Sequence, residues 1–115
     1  MSEAQRHWDY VDHMLEAIRL ATSYVDGLGK EDFLDDKRTQ QAVILNLLTI
    51  GEAASHIARV APEFIQQHPQ VPWSQMRGMR NRLAHGYFDI NLDVVWDTLQ
   101  TALPELQRQL LGVKP

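Results

Sequence analysis

Cysteine is absent from this chain of 115 residues. That excludes a disulfide framework, a thiol nucleophile and a cysteine-based zinc site. Long apolar runs are also missing. The longest are only a few residues, against the ~20 that a membrane-spanning helix needs, so no membrane partner is expected. The start, Met1-Ser2-Glu3-Ala4-Gln5-Arg6, leads into charged amphipathic sequence rather than a secretory signal, and the expected location is the cytoplasm. There is no surplus of positive charge. Eleven Lys and Arg stand against fifteen Asp and Glu, a net −4, which argues against sequence-blind coating of nucleic acid. Gly-rich phosphate loops, a serine elbow and a HExxH motif are lacking. His7, His13, His56 and His68 form no His-X3-His pair, and no Glu-X2-His pair exists. Neither a metal nor a cofactor is therefore expected.

What remains is helical. At 44% apolar composition the chain can bury a core as one domain over residues 1–115. Ser2 with Gln5 reads as a capping box for a first helix from about Ser2 to Gly27. Trp8, Val11, Leu15, Ile18 and Val25 recur at helical spacing along it. Lys30 to Leu34 reads as a short connection. A second helix, about Asp36 to Val60, is apolar nearly all round from Ala42 to Ile50, which places it at a bundle centre or against a second subunit. Its Gly51, Ala53, Ala54 and Ser55 would permit close helix approach. Pro62, Pro69 and Pro72 punctuate a looser stretch in which Glu63 to Gln67 form a turn or two. Pro72 opens a third helix to about His85, with Gly86 as its stop. Asn91 caps a fourth, roughly Leu92 to Leu111, which Pro104 should kink. The expected fold is all-α: an up-and-down bundle of four main helices plus a short extra helical segment. Trp8, Trp73 and Trp96 read as core or interface anchors, with base stacking as the alternative for Trp73.

Charge is uneven along the chain. Residues 31–36 hold Glu31, Asp32, Asp35 and Asp36, whereas residues 77–88 hold Arg77, Arg80, Arg82 and His85 with no acid before Asp89. A small basic site on an acidic body suits a localised phosphate contact. Arginine holds phosphate through a planar fork of donors, and histidine moves protons near neutral pH. Arg77, Asn81 and His85 lie four apart and share a helical stripe, and Arg82 adjoins His85. Arg80 is five before His85, ~140° around a regular helix. The two converge only if the helix unwinds at Ala84-His85-Gly86, or if they meet across a symmetric interface. Such a group can cleave RNA without a metal, because RNA supplies its own 2′-hydroxyl nucleophile. The plainer reading is that Arg and His at a helix end serve the dipole and the last carbonyls, and that the apolar helix and basic end form a non-catalytic module for dimerisation and docking.

The order Arg80, four residues, His85, one residue, Tyr87 resembles the signature of HepT-like toxins in the HEPN superfamily of helical ribonucleases. Thr39-Gln40-Gln41-Ala42-Val43, Ile50-Gly51-Glu52-Ala53, Val71-Pro72-Trp73 and Met79-Arg80-Asn81-Arg82 resemble the other recurring segments of that family, in the same order. The likeness runs from about Tyr10 to Leu111. It implies a homodimer with both signatures facing one cleft, and metal-independent cleavage of an RNA substrate with Arg80 and His85 as the central pair. Asn81 matches the polar position after the family's arginine. The resemblance also implies a small nucleotidyltransferase antitoxin that transfers AMP to Tyr87. Glu52 stays open between two roles: a buried acid orienting an Arg or His of the site, or a partner for His56 one turn on.

Overall fold

In the computed structural model, residues 6–86 and 89–114 are described. They form seven α-helices: α1 (Arg6–Tyr24), α2 (Lys30–Leu34), α3 (Lys37–Val60), α4 (Pro62–Gln67), α5 (Trp73–His85), α6 (Leu92–Asp97) and α7 (Leu103–Val113). A π-helical turn, Thr98–Ala102, joins the last two. No strand occurs among the described residues. The all-α bundle expected from apolar periodicity is what the chain adopts.

α3 is the central element. It packs on α1 along one side and on α5 along the other. Its inward residues Val43, Leu47, Ile50, Ala54 and Ile57 are at most 1% exposed. They recur at three- and four-residue steps, which keeps them on one stripe. By length and composition α3 could span a membrane, but half of its most apolar stretch is buried against the other helices. A core helix has this profile. α1 presents Val11, Met14, Ile18 and Ala21 to the core, and α7 adds Leu103, Leu106 and Leu110. Lys114 closes the far end on Asp12 at 2.6 Å.

Several elements differ from expectation in instructive ways. The Ser2–Gln5 capping box lies outside the described residues. α1 ends at Tyr24, and a turn comes next in which Gly27 takes φ +80°, a conformation glycine adopts freely. The stretch Lys30–Leu34 is a short helix rather than a connection. Asp32 accepts the Gly29 N–H at 3.0 Å, and Phe33 is fully buried, so one apolar anchor and one cap suffice. Pro62 begins α4 with only Ala61 between it and the end of α3, while Pro72 caps α5 rather than opening it. The helical residues run on through Pro104, but not as one regular α-helix. The backbone widens just before the proline, and the Leu103 N–H donates to the Thr98 carbonyl. A five-residue step accommodates a ring that would otherwise crowd the preceding turn.

The contact between α3 and α5 is exceptionally close at one point. A β-carbon on Gly51 would collide with Arg80 Cβ and fall 2.8 Å from the Met76 carbonyl oxygen. Any side chain there forces the helices apart. Gly51→Ala should therefore destabilise the protein by about 1–3 kcal/mol, read as a lower unfolding midpoint in urea. A midpoint equal to that of the parent would show that the two helices are not held at this separation.

The start of α3 generates a second prediction. Asp36 accepts the Thr39 N–H at 3.1 Å and the Thr39 hydroxyl at 2.6 Å. These bonds, the hydroxyl first, hold its carboxyl below the usual aspartate range. A depressed folded value stabilises the fold above the unfolded value, and the contribution is lost as pH falls through the folded one. Asp36→Ala should thus lower the urea midpoint at neutral pH. The gap to the parent should narrow in acid, and a gap that is constant with pH would remove the carboxylate from the account.

Candidate functional site

Arg80 is positioned by its neighbours on both helices. Because Gly51 lets α3 approach, Glu52 beside it reaches across, and Arg80 Nε donates to Glu52 Oε1. Arg80 Nη1 donates to Asn81 Oδ1 at 3.1 Å. The Arg80 and Glu52 side chains are 33% and 45% exposed. Water reaches both, so the pair contributes at most ~1 kcal/mol to stability. Its effect is orientation: Nε and one amino group are occupied, and Nη2 remains for another acceptor. Glu52 is thus not a buried acid. It does not pair with His56 either, whose Nδ1 accepts from Arg59 Nη2 and whose ring stacks on Tyr10 at 5.0 Å and 7°. The first of the two roles left open for Glu52 matches this geometry as far as the arginine is concerned.

His85 is the last residue of α5 and is exposed. The helix is intact up to it, and the Gly86 N–H donates to the Arg82 carbonyl at 2.8 Å. The unwinding that would bring Arg80 and His85 together within one chain does not occur. They remain five positions apart, ~140° around the axis. Asn81 and Arg82 are exposed and Arg77 is half-buried. Arg77, Asn81 and His85 keep their common stripe because α5 is regular. Tyr87 lies outside the described residues.

Arg82 and His85 do share a feature, an open groove of about 610 Å³. Leu47 of α3, Met79 and Leu83 of α5 and Val95 of α6 supply apolar wall, and Asp89 and Asn91 come from the α5–α6 connection. Sequence spacing marks Asn91 as a helix cap and does not mark Asp89. That they line one groove with His85 is a matter of tertiary packing, which no local pattern encodes. Trp73 is 4% exposed, and its indole N–H donates to the His68 carbonyl at 2.9 Å. It packs edge-on to Phe64, so it is a core anchor and not a platform for a base. Trp96 is half-buried against Phe33, and Trp8 against Phe64.

Comparison with known proteins gives the family. A family model described as ribonuclease HepT-like matches residues 14–112. A protein of Thermococcus cleftensis named "Probable ribonuclease HepT" is 41% identical over 101 residues, covering 88% of this chain and 89% of its own. One of Caldanaerobacter subterraneus subsp. tengcongensis, named "Putative RNase", is 35% identical over 101 residues, covering 88% of each. A third, of Methanocaldococcus jannaschii and named in the same way, is 37% identical over 91 residues, covering 79% of this chain and 73% of its own. No solved structure matches the chain significantly. With a family match across most of its length, and the Arg80, His85 and Tyr87 spacing inside that match, the chain belongs to the HepT-like ribonucleases of the HEPN superfamily.

Proposed function

We propose that this protein is the toxin of a two-gene toxin–antitoxin pair, a metal-independent endoribonuclease that works as a homodimer in the cytoplasm. The observation that carries the reading is the state of α5. One helix holds an arginine oriented by Glu52 and ends on an exposed histidine, and the chain is a HepT-like ribonuclease by family. In the reaction, His85 takes the proton from a ribose 2′-hydroxyl or returns one to the leaving 5′-oxygen. The 2′-oxygen bonds to phosphorus and the bond to the 5′-oxygen breaks. A 2′,3′-cyclic phosphate and a 5′-hydroxyl result. Arg80 stabilises charge growing on the phosphate oxygens. Asn81 supports Arg80, and Arg77 and Arg82 add positive charge around the phosphate path. DNA lacks the nucleophile and is not cut.

Two observations support the dimer. Arg80 and His85 diverge on the intact α5, whereas a twofold axis can set one copy's arginine against the other's histidine. Leu45 is 64% exposed on α3. It lies on the same helical stripe as half-buried Leu48 and Glu52, so an apolar strip leads directly to the Glu52–Arg80 pair. The partner in the cell is a small nucleotidyltransferase that moves AMP onto Tyr87. A phosphate placed two residues from His85 occupies the arginines and excludes RNA by charge and bulk.

The test is cleavage of total RNA in EDTA by the parent, His85→Ala and Arg80→Ala proteins. The parent should cut RNA and spare DNA. Each variant should lose about 10²–10⁴-fold in rate, and His85→Ala should retain its affinity for RNA. Co-expression with the nucleotidyltransferase should add the mass of AMP to the parent and not to Tyr87→Phe. A folded, dimeric parent that cuts no RNA would instead be a docking module acting through the same basic helix end.

A further inference from the structure

We infer that the groove beside His85 is a guanine-binding subsite, with Asp89 as the residue that selects the base. The inference rests on reading the His85 end of α5 as an RNA-cleaving site. Its volume of about 610 Å³ is in the range of small-molecule sites, ~300–1,000 Å³. His85 and Arg82 stand among its lining residues, so a phosphate held at His85 has its neighbouring base at the groove. Single-stranded RNA is commonly read in this way, with an unstacked base moved into a protein pocket and recognised along its Watson–Crick edge. Leu83 and Val94, on α5 and α6, provide apolar surface for the faces of a ring.

The polar groups define which base fits. Asp89 is the one carboxylate among the lining residues. Its backbone N–H is used on Gly86, but its side chain has no hydrogen-bond or ion-pair partner among the described residues. A carboxylate accepts hydrogen bonds and, ionised, donates none. Asn91 is the second polar group. Its Oδ1 accepts the N–H groups of Asp93 at 3.0 Å and Val94 at 3.2 Å, which fixes the amide and leaves Nδ2 free to donate. With Arg82 and His85 assigned to the phosphate, and the Thr98 hydroxyl donating to the Val94 carbonyl, the pattern that Asp89 and Asn91 offer a base is one donor and a pair of acceptors. Guanine presents the complement, O6 as acceptor and N1–H and N2–H as adjacent donors. Adenine and cytosine each place a ring-nitrogen acceptor beside their amino donor, and uracil flanks its one N–H with two carbonyls. Each of these three sets a lone pair against the carboxylate.

The experiment titrates guanosine, adenosine, cytidine and uridine 5′-monophosphates separately into the full-length protein, followed by calorimetry. Guanosine monophosphate should bind about tenfold or more tighter than the others, the discrimination that a good bidentate contact provides. Asp89→Asn should erase that difference. Val94→Trp should weaken all four, because Val94 is 56% exposed at the groove and a larger side chain there fills the groove without entering the core. Cleavage sites mapped on a mixed-sequence RNA should lie beside guanine for the parent and lose that bias in Asp89→Asn. Equal or undetectable binding of the four nucleotides overturns the assignment, as does a guanine preference that survives Asp89→Asn. It also fails if Val94→Trp dissociates the dimer and leaves nucleotide binding unchanged, which would make a second copy of the chain the occupant. Unbiased RNA cleavage would sink the subsite and leave the nuclease. Guanine-selective binding without any RNA cleavage would sink the nuclease.

Discussion

The near-contact of α3 and α5 at Gly51 is the constraint on which the rest of the site depends. Helix axes usually lie 8–10 Å apart, as their side chains dictate. Here a missing β-carbon lets the Arg80 side chain start against the α3 backbone. Glu52, next in sequence, then needs little reach to meet the guanidinium. One turn earlier on α3, Leu47 forms part of the groove with Met79 and Leu83 of α5. A single glycine therefore sets the arginine's orientation on one face of α5 and the apolar wall on another.

The magnitudes separate what holds the fold from what serves the site. Burial of side chains such as Ile50, Leu47 and Ile57 contributes ~1.5–3 kcal/mol each. The half-exposed Glu52–Arg80 pair contributes at most ~1 kcal/mol. Arg77, Arg82 and His85 have no ion-pair partner among the described residues. An acid placed against each would neutralise the helix end. The acids are instead collected elsewhere, as at Glu31, Asp32, Asp35 and Asp36 near the start of α3. Glu52 is the exception, and its carboxylate engages Nε, so an amino group of Arg80 remains available to an anion.

Much of the fold is legible in the sequence because apolar residues at three- and four-residue spacing have few alternatives to a helix. The central position of α3 comes from its near-uniform apolarity between Ala42 and Ile50, and the Asn91 cap from residue type alone. Lys30–Leu34 escapes such a reading because five residues are too few to show a period, and its helix depends on burial of Phe33. At the site, the spacing of Arg80 and His85 is readable and their relative direction is not. That direction turns on whether α5 stays regular through Ala84, a matter of tertiary packing around Leu83. The groove is not readable at all, since it joins α3, α5 and α6 across long sequence separations.

Pro104 shows how far such a dependence can reach. Its ring would crowd the carbonyl one turn back in a regular α-helix. The chain has a wider turn at Thr98–Ala102, and α6, the turn and α7 follow one another with no residue between them. Thr98 starts that turn and also lines the groove, while Leu99 beside it is buried in the core. Val95 before the turn, Leu99 within it and Leu103, Leu106 and Leu110 after it are all buried. The turn that accommodates Pro104 thus begins on a residue of the groove, although the proline itself lies outside it. Wide turns of this kind recur at functional sites, and here consecutive residues of the turn serve both surfaces, Thr98 the groove and Leu99 the core.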